Sequence, residues 1–251
     1  MGELRGRLRA DLALAANRFR TPLFNSVLKG VDRMLKACTF FSYLDGMSNE
    51  DGQKYWRTSH ADIVRKVGAV KRYVQCHPII GYGANDSFAH DGYAELYVDD
   101  TAALKVMNQT SEFADVIADE KEFIDSKSVR LILADEIILK GEYPDKSNSL
   151  VKLVRLFTAP KGISPEDFRN LWLNNKALRH EDLDGLVARF CSFARLSGYK
   201  DGRSPLYDLV LNDYFLSTDA CTEYLLNTTE NDVVGYQVSS NFVTKEIVVI
   251  A

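Results

Sequence analysis

Short apolar segments recur along the chain and are separated by amphipathic segments and polar turns. Between residues 34 and 140, four segments have the pattern of β-strands and two have the pattern of helices. The predicted strands are Leu35–Tyr43, Val70–Cys76, Tyr93–Val98 and Val129–Leu139. The first helix begins after Ser48, which is placed to cap it, and the second covers Thr101–Ala118. The order βαββαβ is that of a ferredoxin-like unit.

The same order of elements returns in the second half of the chain. Its predicted strands are Val151–Phe157, Leu186–Phe193, Leu206–Leu211 and Thr244–Ile250, with a helix over Ser164–Lys176. A four-stranded sheet with helices on one face must bury its other face, and a second sheet can cover it. The pattern therefore predicts an α+β fold in which two fused ferredoxin-like repeats form a closed or nearly closed pseudo-dimeric α/β barrel with helices outside.

Sequence identity between the halves supports a duplication. Gly46–Trp56 reads GMSNEDGQKYW and Gly162–Trp172 reads GISPEDFRNLW, at an offset of 116 residues. Further on, Gly68–Tyr73 returns as Gly185–Phe190 at an offset of 117. A period of this size indicates fused domains rather than a solenoid.

The two copies differ in their histidines. At these offsets His60 aligns with Lys176 and His77 aligns with Ala194. Two equivalent halves with unequal side chains suggest one working site and one scaffold half. We expect the larger cleft in the first half, between the Gly46–Val67 helix, the Thr101–Ala118 helix and the sheet.

The predicted organisation has four parts. Residues 1–33 form a basic extension in which Leu4, Leu8 and Leu12 have helical spacing, which is typical of a docking helix or of a membrane-surface helix. Residues 34–140 are the first repeat, 141–150 a polar linker and 151–251 the second repeat.

Composition narrows the class of protein. The 251 residues are 46% hydrophobic and 26% charged, with a net charge of −4, so we expect a globular protein without a broad attraction for nucleic acid. No apolar run is long enough for a membrane-spanning helix. The four cysteines form no CxxC pair and no zinc-ligand spacing, which favours a reducing, cytoplasmic location.

Several segments in the first repeat resemble one known family. They are Tyr55-Trp56 followed by His60, Arg72–Pro78 (RYVQCHP), Asp91–Leu96 (DGYAEL) followed by Asp99-Asp100, and Glu122–Asp125 (EFID). In this order they resemble the EthD family of the dimeric α/β-barrel superfamily, and the chain is similar to a tandem member. The resemblance is strong over residues 35–140, weaker over 151–251, where the third strand lacks the Asp-Gly lead-in, and absent from 1–33.

The resemblance implies a range of chemistries. Superfamily members include cofactor-free monooxygenases, polyketide cyclases, lactone isomerases and dehydratase-like or decarboxylase-like proteins. In most of them an apolar cleft between sheet and helices holds the substrate, and a His, Tyr or Asp moves a proton.

Histidine supplies acid–base chemistry near neutral pH. His60 follows Trp56 by one helical turn, so both lie on one helix face, and we expect His60 to be the main acid or base. His77 ends a strand next to Pro78, and with Tyr93 it completes the expected catalytic set. The expected substrate-binding residues are Tyr55, Trp56, Phe40, Tyr97, His90 and Asp125.

Structural roles remain open for these residues. A histidine in a core is often only hydrogen-bonded there, and Asp125 is placed either to orient a histidine or to cap the turn at Ser126. Tyr93 and Tyr97 share one sheet face with Glu95, which is either a site or the interior between two sheets.

The sequence predicts neither a metal site nor a nucleotide cofactor. It has no HxH, HxxxH or HExxH pattern, no GxGxxG and no Walker sequence, although one axial histidine would suffice for haem. The predicted function is a cofactor-independent lyase or isomerase acting on a small hydrophobic, aromatic or polyketide-like compound in aromatic catabolism. The alternatives are a cofactor-free monooxygenase and a non-catalytic carrier of a hydrophobic metabolite for a neighbouring oxidase; a homodimer is left open.

Overall fold

The structure is a computed structural model, and it describes residues 34–79, 90–144, 150–174, 185–227 and 237–251. The predicted N-terminal helix, Lys176 and half of the polar linker lie outside these ranges.

The first half contains four strands and four short helices among its described residues. They are β1 (Leu35–Phe41), α1 (Asn49–Tyr55), a π-helical turn (Trp56–His60), α2 (Ala61–Val64), β2 (Arg72–Pro78), β3 (Gly92–Val98), α3 (Thr101–Met107), α4 (Ser111–Glu120) and β4 (Arg130–Lys140). The strands pair antiparallel in the order β4-β1-β3-β2, as in a ferredoxin-like unit.

The second half repeats this order. Its described elements are β5 (Val151–Thr158), α5 (Pro165–Asn174), β6 (Leu186–Ala194), a 3₁₀ segment (Leu196–Gly202), β7 (Leu209–Phe215), α6 (Thr218–Asn227) and β8 (Gln237–Ile250). The sheet order is β8-β5-β7-β6. The two predicted serine caps are confirmed, because Ser48 accepts the Asp51 N–H at 3.1 Å and Ser164 accepts the Asp167 N–H at 3.0 Å.

Strands β4 and β8 join the two sheets into one closed barrel. The first part of β4 pairs with β1, and from Ala134 onward it pairs with β6. In the same way β8 pairs with β5 and then, from Thr244, with β2. The predicted α+β pseudo-dimeric barrel is confirmed.

Three sequence expectations are corrected by the structure. The helix expected over Thr101–Ala118 is two helices, because Thr110 interrupts it and caps α4 by accepting the Phe113 N–H at 3.2 Å. The strand expected at Leu206–Leu211 runs from Leu209 to Phe215. The helix after Ser48 contains a π-helical turn.

A further correction concerns the alignment of His77. Cys76 lies opposite Tyr93 in the first half, and Ser192 lies opposite Val210 in the second, so the offset in this strand is 116. The offset of 117 between Gly68 and Gly185 therefore does not continue into β6, which has a β-bulge between Leu186 and Ala188. His77 therefore corresponds to Phe193 and not to Ala194.

Side chains alternate between two sides of the barrel wall. In the first half one side faces the helices and contains Phe41, Tyr73 and Val98, packed against Trp56 and Phe123 of the helical layer. The other side faces the barrel interior. Its apolar part includes residues from both halves, among them Cys38, Phe40, Val74, Tyr93, Val154, Val210 and Phe242.

The barrel interior also holds a network of charged side chains. This charged network consists of Lys36, Lys152, Glu95, Glu136 and Glu246, and its lysines are fully buried. Glu95 Oε1 lies 2.8 Å from Lys152 Nζ and 3.1 Å from Lys36 Nζ. The remaining acids each bind one lysine: Glu136 binds Lys36 and Glu246 binds Lys152.

Candidate active site

The π-helical turn Trp56–His60 is the centre of the candidate site. Both of its end residues are buried. The Trp56 indole N–H donates to the Tyr73 hydroxyl at 2.9 Å, and the Trp56 carbonyl accepts the Gln75 amide N–H at 2.7 Å. Both partners lie on β2, so two hydrogen bonds fix the turn against this strand. Single π-helical turns inside α-helices are frequent at functional sites.

His60, at the end of this turn, forms a dyad with a carboxylate. Its Nδ1 lies 2.8 Å from Asp119 Oδ2 at the last turn of α4. The other carboxylate oxygen of Asp119 accepts the Tyr55 hydroxyl at 2.7 Å. Because Asp119 accepts at Nδ1, the neutral imidazole carries its proton there and presents a lone pair at Nε2. Among the described residues, the hydrogen bond of the His60 ring is the one through Nδ1.

The surroundings of His60 favour its neutral form. Burial lowers the pKa of His60, and the hydrogen bond and charge of Asp119 oppose this effect. The ring packs against Phe123, with centroids 5.0 Å apart. Next to Asp119, burial and then the Asp119 charge raise the pKa of Glu120 to about 7, which is suited to proton exchange near neutral pH.

His77 lies on the same side of the sheet as Tyr73. Its ring packs on Trp56 with centroids 4.5 Å apart, and its Nε2 lies 3.1 Å from Gln75 Oε1. Because the amide N–H of Gln75 is donated to Trp56, its oxygen must accept from His77, which places the proton on Nε2. Nδ1 is then an acceptor, and it is buried without a hydrogen-bond partner in the described part of the chain. Burial, and then the charges of Arg57 and Lys245, lower the pKa of His77 to about 3.

The structure brings together four of the predicted site residues: His60, His77, Trp56 and Tyr55. Three others face the barrel interior on the far side of the sheet. Tyr93 stacks on Phe40 at 4.6 Å, and its hydroxyl lies 3.4 Å from Cys38 Sγ. Tyr97 donates to Glu136 at 3.2 Å and joins the charged network.

The last two predicted residues lie apart from the dyad. His90 Nε2 lies 3.0 Å from the Tyr207 hydroxyl of the second half, beside Phe40 at the end of the barrel. Asp125 accepts the Lys127 N–H at 3.0 Å, which is the turn-capping role.

Asp119, Tyr73 and Gln75 were not singled out by sequence reasoning. Asp119 lies three residues after Val116 on α4, on the apolar helix face. An acid at such a position was the available signal. Tyr73 and Gln75 alternate with His77 on β2 and share its face, which a period of two could have indicated.

The equivalent place in the second half cannot support the same chemistry. By the strand register, Phe193 occupies the position equivalent to His77, and Arg189 occupies the position equivalent to Tyr73. Arg189 Nε binds Asp213 Oδ1 at 2.6 Å, and Arg155 binds the other Asp213 oxygen at 2.6 Å. A buried ion cluster thus occupies the place that corresponds to Tyr73.

The described ranges contain no group of three or more His, Cys, Asp or Glu side chains placed to hold a metal ion. None of their helices combines the length and the apolarity that crossing a membrane requires.

The closed barrel defines the class of protein: a dimeric α/β barrel with both halves in one chain. An anthrone oxidase-like protein superposes with a TM-score of 0.60, covering 87% of this chain and 94% of its own at 10% identity. A monooxygenase-like protein from Fusobacterium nucleatum gives a TM-score of 0.54, covering 86% and 92% at 10% identity. These likenesses show the fold.

One family model matches within the first half. The model of the EthD domain covers residues 44–127, so this part of the barrel matches an EthD domain. The dyad and His77 all lie within the matched range. An EthD family protein from Bacillus halodurans is 21% identical, covering 41% of this chain and 99% of its own with a TM-score of 0.36. No curated protein matches the chain in sequence.

Proposed function

We propose that the first half is an acid–base enzyme that removes a proton from a small hydrophobic, aromatic or polyketide-like compound without a bound cofactor. The observation that carries the proposal is the 2.8 Å contact between His60 Nδ1 and Asp119 Oδ2 in buried, aromatic surroundings. A neutral histidine that a carboxylate holds in one tautomer is the arrangement of a general base.

In this proposal His60 is the catalytic residue and Asp119 is a positioning residue. Nε2 of His60 takes a proton from an activated C–H or O–H group, and the Asp119 carboxylate stabilises the imidazolium that results. The Tyr55 hydroxyl holds the second carboxylate oxygen, which fixes the orientation of the acid. Return of the proton to another substrate atom is an isomerisation, and loss of a leaving group is a lyase reaction.

A second fate of the same carbanion is reaction with dioxygen. Similarity of fold to the anthrone oxidase-like protein, at a TM-score of 0.60, favours this candidate. One O₂ adds to an activated CH₂ group, and loss of water from the hydroperoxide leaves a ketone. The first step is the proton abstraction proposed above, so both reactions depend on His60.

We assign the protein to the cytoplasm. Cys38, Cys76, Cys191 and Cys221 are all buried free thiols, which is typical of a reducing compartment. A homodimer that pairs the outer faces of two barrels is compatible with the proposed site, which lies within one half.

The proposal is tested by proton exchange on a carbon acid. Anthrone, an activated aromatic ketone, is incubated with the full chain in D₂O under argon, and NMR follows loss of its acidic C–H; an oxygen electrode follows O₂ uptake in air. No metal, flavin or haem is added. His60→Gln should slow exchange by about 100-fold or more, because positioned acid–base groups contribute about 10²–10⁴-fold.

Asp119→Asn tests positioning. It should slow exchange and move the acidic limb of the pH–rate profile to lower pH, because the Asp119 charge raises the pKa of His60. Asp115→Asn, the same change one turn earlier on an exposed position of α4, is the matched control.

Lys176→Ala should leave turnover nearly intact. Exchange that persists in folded His60→Gln would show that His60 is not the base, and binding without any exchange in the wild type would favour a carrier.

A further inference from the structure

Two buried polar groups on the helix side of the first half have no hydrogen-bond partner in the described ranges. They are the Tyr43 hydroxyl and His77 Nδ1. Tyr43 is 6% exposed and His77 is 4% exposed. Buried polar groups are almost always hydrogen-bonded, so two orphans in one region require an explanation.

Tyr43 and His77 lie at the same end of the sheet. Phe41 of β1 is opposite Gly92, and Cys76 of β2 is opposite Tyr93, so both strands end beside the start of β3. Helix α1 passes over this end of the sheet and contacts both flanks through successive residues.

The contacts of α1 connect the two groups. Gly52 packs directly against the Tyr43 ring, where a Cβ would lie 2.7 Å from ring carbons. The Gln53 amide donates to the carbonyl of Pro78, the residue after His77, at 3.3 Å. One turn later, the charge of Arg57 affects both groups. Burial and Asp91 have larger effects on the pKa of Tyr43, which Arg57 lowers. Burial has a larger effect on the pKa of His77, which Arg57 also lowers.

Neither group can move easily to find a partner within the protein. The Tyr43 backbone N–H donates to Asp91 Oδ2 at 2.9 Å, and Tyr43 forms a β-bridge with Ile124. His77 is held by Gln75 and by the Trp56 ring. A donor and an acceptor are therefore fixed in place, which is the preorganisation that a ligand site needs.

The second copy keeps the packing of this region and loses both polar groups. Asp208 accepts the Ala159 N–H at 2.6 Å just as Asp91 accepts that of Tyr43, so Ala159 is the equivalent of Tyr43. At the offset of 116, Gly52 corresponds to Phe168. In the second half the aromatic ring belongs to the helix residue Phe168 instead of the strand-end residue, and this ring has no hydroxyl. Phe193 likewise replaces His77.

This difference between the halves distinguishes the packing role of the rings from the role of their polar atoms. If Tyr43 and His77 served only to fill the core, Phe168 and Phe193 show that apolar rings can do so in this fold. The polar atoms are present only in the half that contains the His60–Asp119 dyad.

We infer that the Tyr43 hydroxyl and His77 Nδ1 form a subsite for two oxygens of an aromatic hydroxy ketone, which binds beside His60. The inference rests on the proposed function and names its substrate class. Tyr43 donates to the carbonyl oxygen, which gains negative charge when His60 removes a proton, and His77 accepts from the substrate hydroxyl. Burial raises the pKa of Tyr43, so the phenol stays protonated as a donor, and the Arg57 cation favours the enolate.

The test uses three related probes with the full chain: a hydroxytetralone, its methyl ether, and the corresponding tetrahydronaphthol that lacks the ketone. Calorimetry measures each Kd. The wild type should bind the hydroxytetralone about 5–10-fold more tightly than either analogue, the ratio expected for one net hydrogen bond.

Each variant should remove one preference and keep the other. Tyr43→Phe should bind the ketone and the ketone-free phenol equally while still preferring the phenol function over the methyl ether. His77→Phe should show the reverse pattern. Each variant is thus the control for the other. Equal losses for all three probes, unchanged affinities in both variants as expected for bound water only, or no probe binding to the wild type would each overturn the inference.

Stability gives an independent readout. Tyr43→Phe should unfold at the same temperature as the wild type or higher, because it removes a buried hydroxyl without a protein partner. A clear loss of thermal stability would show a structural partner and would overturn the inference. His60→Gln should keep both binding preferences, so failure of the proposed function through His60 is distinguishable from failure of this subsite.

Discussion

His77 is a neutral imidazole in a buried position, and its protonation couples folding to pH. In the folded protein, burial and then the charges of Arg57 and Lys245 lower its pKa to about 3. In the unfolded chain its pKa returns to about 6.5. Below that pH the unfolded state binds more protons than the folded state. The free energy of unfolding therefore falls as the pH falls from about 6.5 toward 3.

Replacing His77 should flatten this pH dependence. Between about pH 7 and pH 5, the wild type should lose about 2 kcal/mol more stability than His77→Phe, at 1.36 kcal/mol for each pKa unit. Phe193 shows that a phenylalanine fits the equivalent position. Urea unfolding at both pH values measures the difference, and His60 and Glu120 are present in both proteins, so their contributions cancel. Parallel curves for the two proteins would contradict the neutral state of His77.

At this scale the histidines were predictable and their orienting acid was not. His60 and Trp56 are one helical turn apart, so local spacing places them together. For Asp125 the sequence left two roles open, orienting a histidine or capping its turn; Asp125 caps the turn, and Asp119 contacts His60. That contact joins residues 59 positions apart through the packing of α4 on the π-helical turn, and no local pattern encodes it.

At the scale of elements, α1 is placed by a close approach to the strand end. Gly52 has an ordinary helical conformation, so its small size rather than its conformational freedom is what the site requires. A Cβ at this position would lie 2.7 Å from Tyr43 ring carbons.

Gly52→Ala should destabilise the protein despite the higher helix propensity of alanine. Propensity alone favours alanine by about 1 kcal/mol, but overpacking costs about 1–3 kcal/mol, so we expect a net loss of up to about 2 kcal/mol in denaturant unfolding. Gly68→Ala is the matched control, because no atom lies within 4 Å of its added Cβ. It should be neutral or stabilising by about 0.4–1 kcal/mol. Equal effects at both positions would argue against the close packing of Tyr43.

Elements whose signals are local were predicted well. A short apolar run marks β1, a period of two marks β3, and serine followed by aspartate three residues later marks the starts of α1 and α5. The β-bulge at Leu186 in β6 was missed because it depends on pairing with β7. The extension of β8 back to Gln237 depends on pairing with β5 in the same way.

At the scale of the whole molecule, the charged network joins the two halves inside the barrel. Glu95 of the first half binds both lysines, one from each half. Burial alone would raise the pKa of Glu95, but Lys152 and Lys36 outweigh it and hold that pKa well below its usual range. The network therefore depends on this acid.

Glu95→Gln should be strongly destabilising. Removing one partner of a buried ion pair costs about 3–5 kcal/mol, because the remaining charges lose their compensation. Asp99→Asn is the control: its ion pair with Lys71 is exposed at both ends, and exposed pairs contribute about 0–1 kcal/mol. Denaturant unfolding compares the two variants. A loss at Glu95 as small as that at Asp99 would show that the network is dispensable for stability.

The barrel itself was predictable from the duplication, because each sheet had one face to bury. The charges inside it were not. Lys36 alternates with apolar residues as a solvent-facing side chain of a strand would, and only the covering second sheet shows that the face on which Lys36 meets Glu95 and Glu136 is buried.

Strands β4 and β8 each pair with strands of both halves, and this has a consequence for the stability of the barrel at low protein concentration. In a barrel assembled from two separate chains, closure is a bimolecular event that weakens as the protein becomes scarce. Here the two halves are tethered, so the seams β4–β6 and β2–β8 form at a fixed effective concentration. The second half is always present to close the barrel, whatever the abundance of the protein. Selection on that half then reduces to keeping its strands and core, so it can carry Phe193 at the position of His77 and Lys176 at the position of His60.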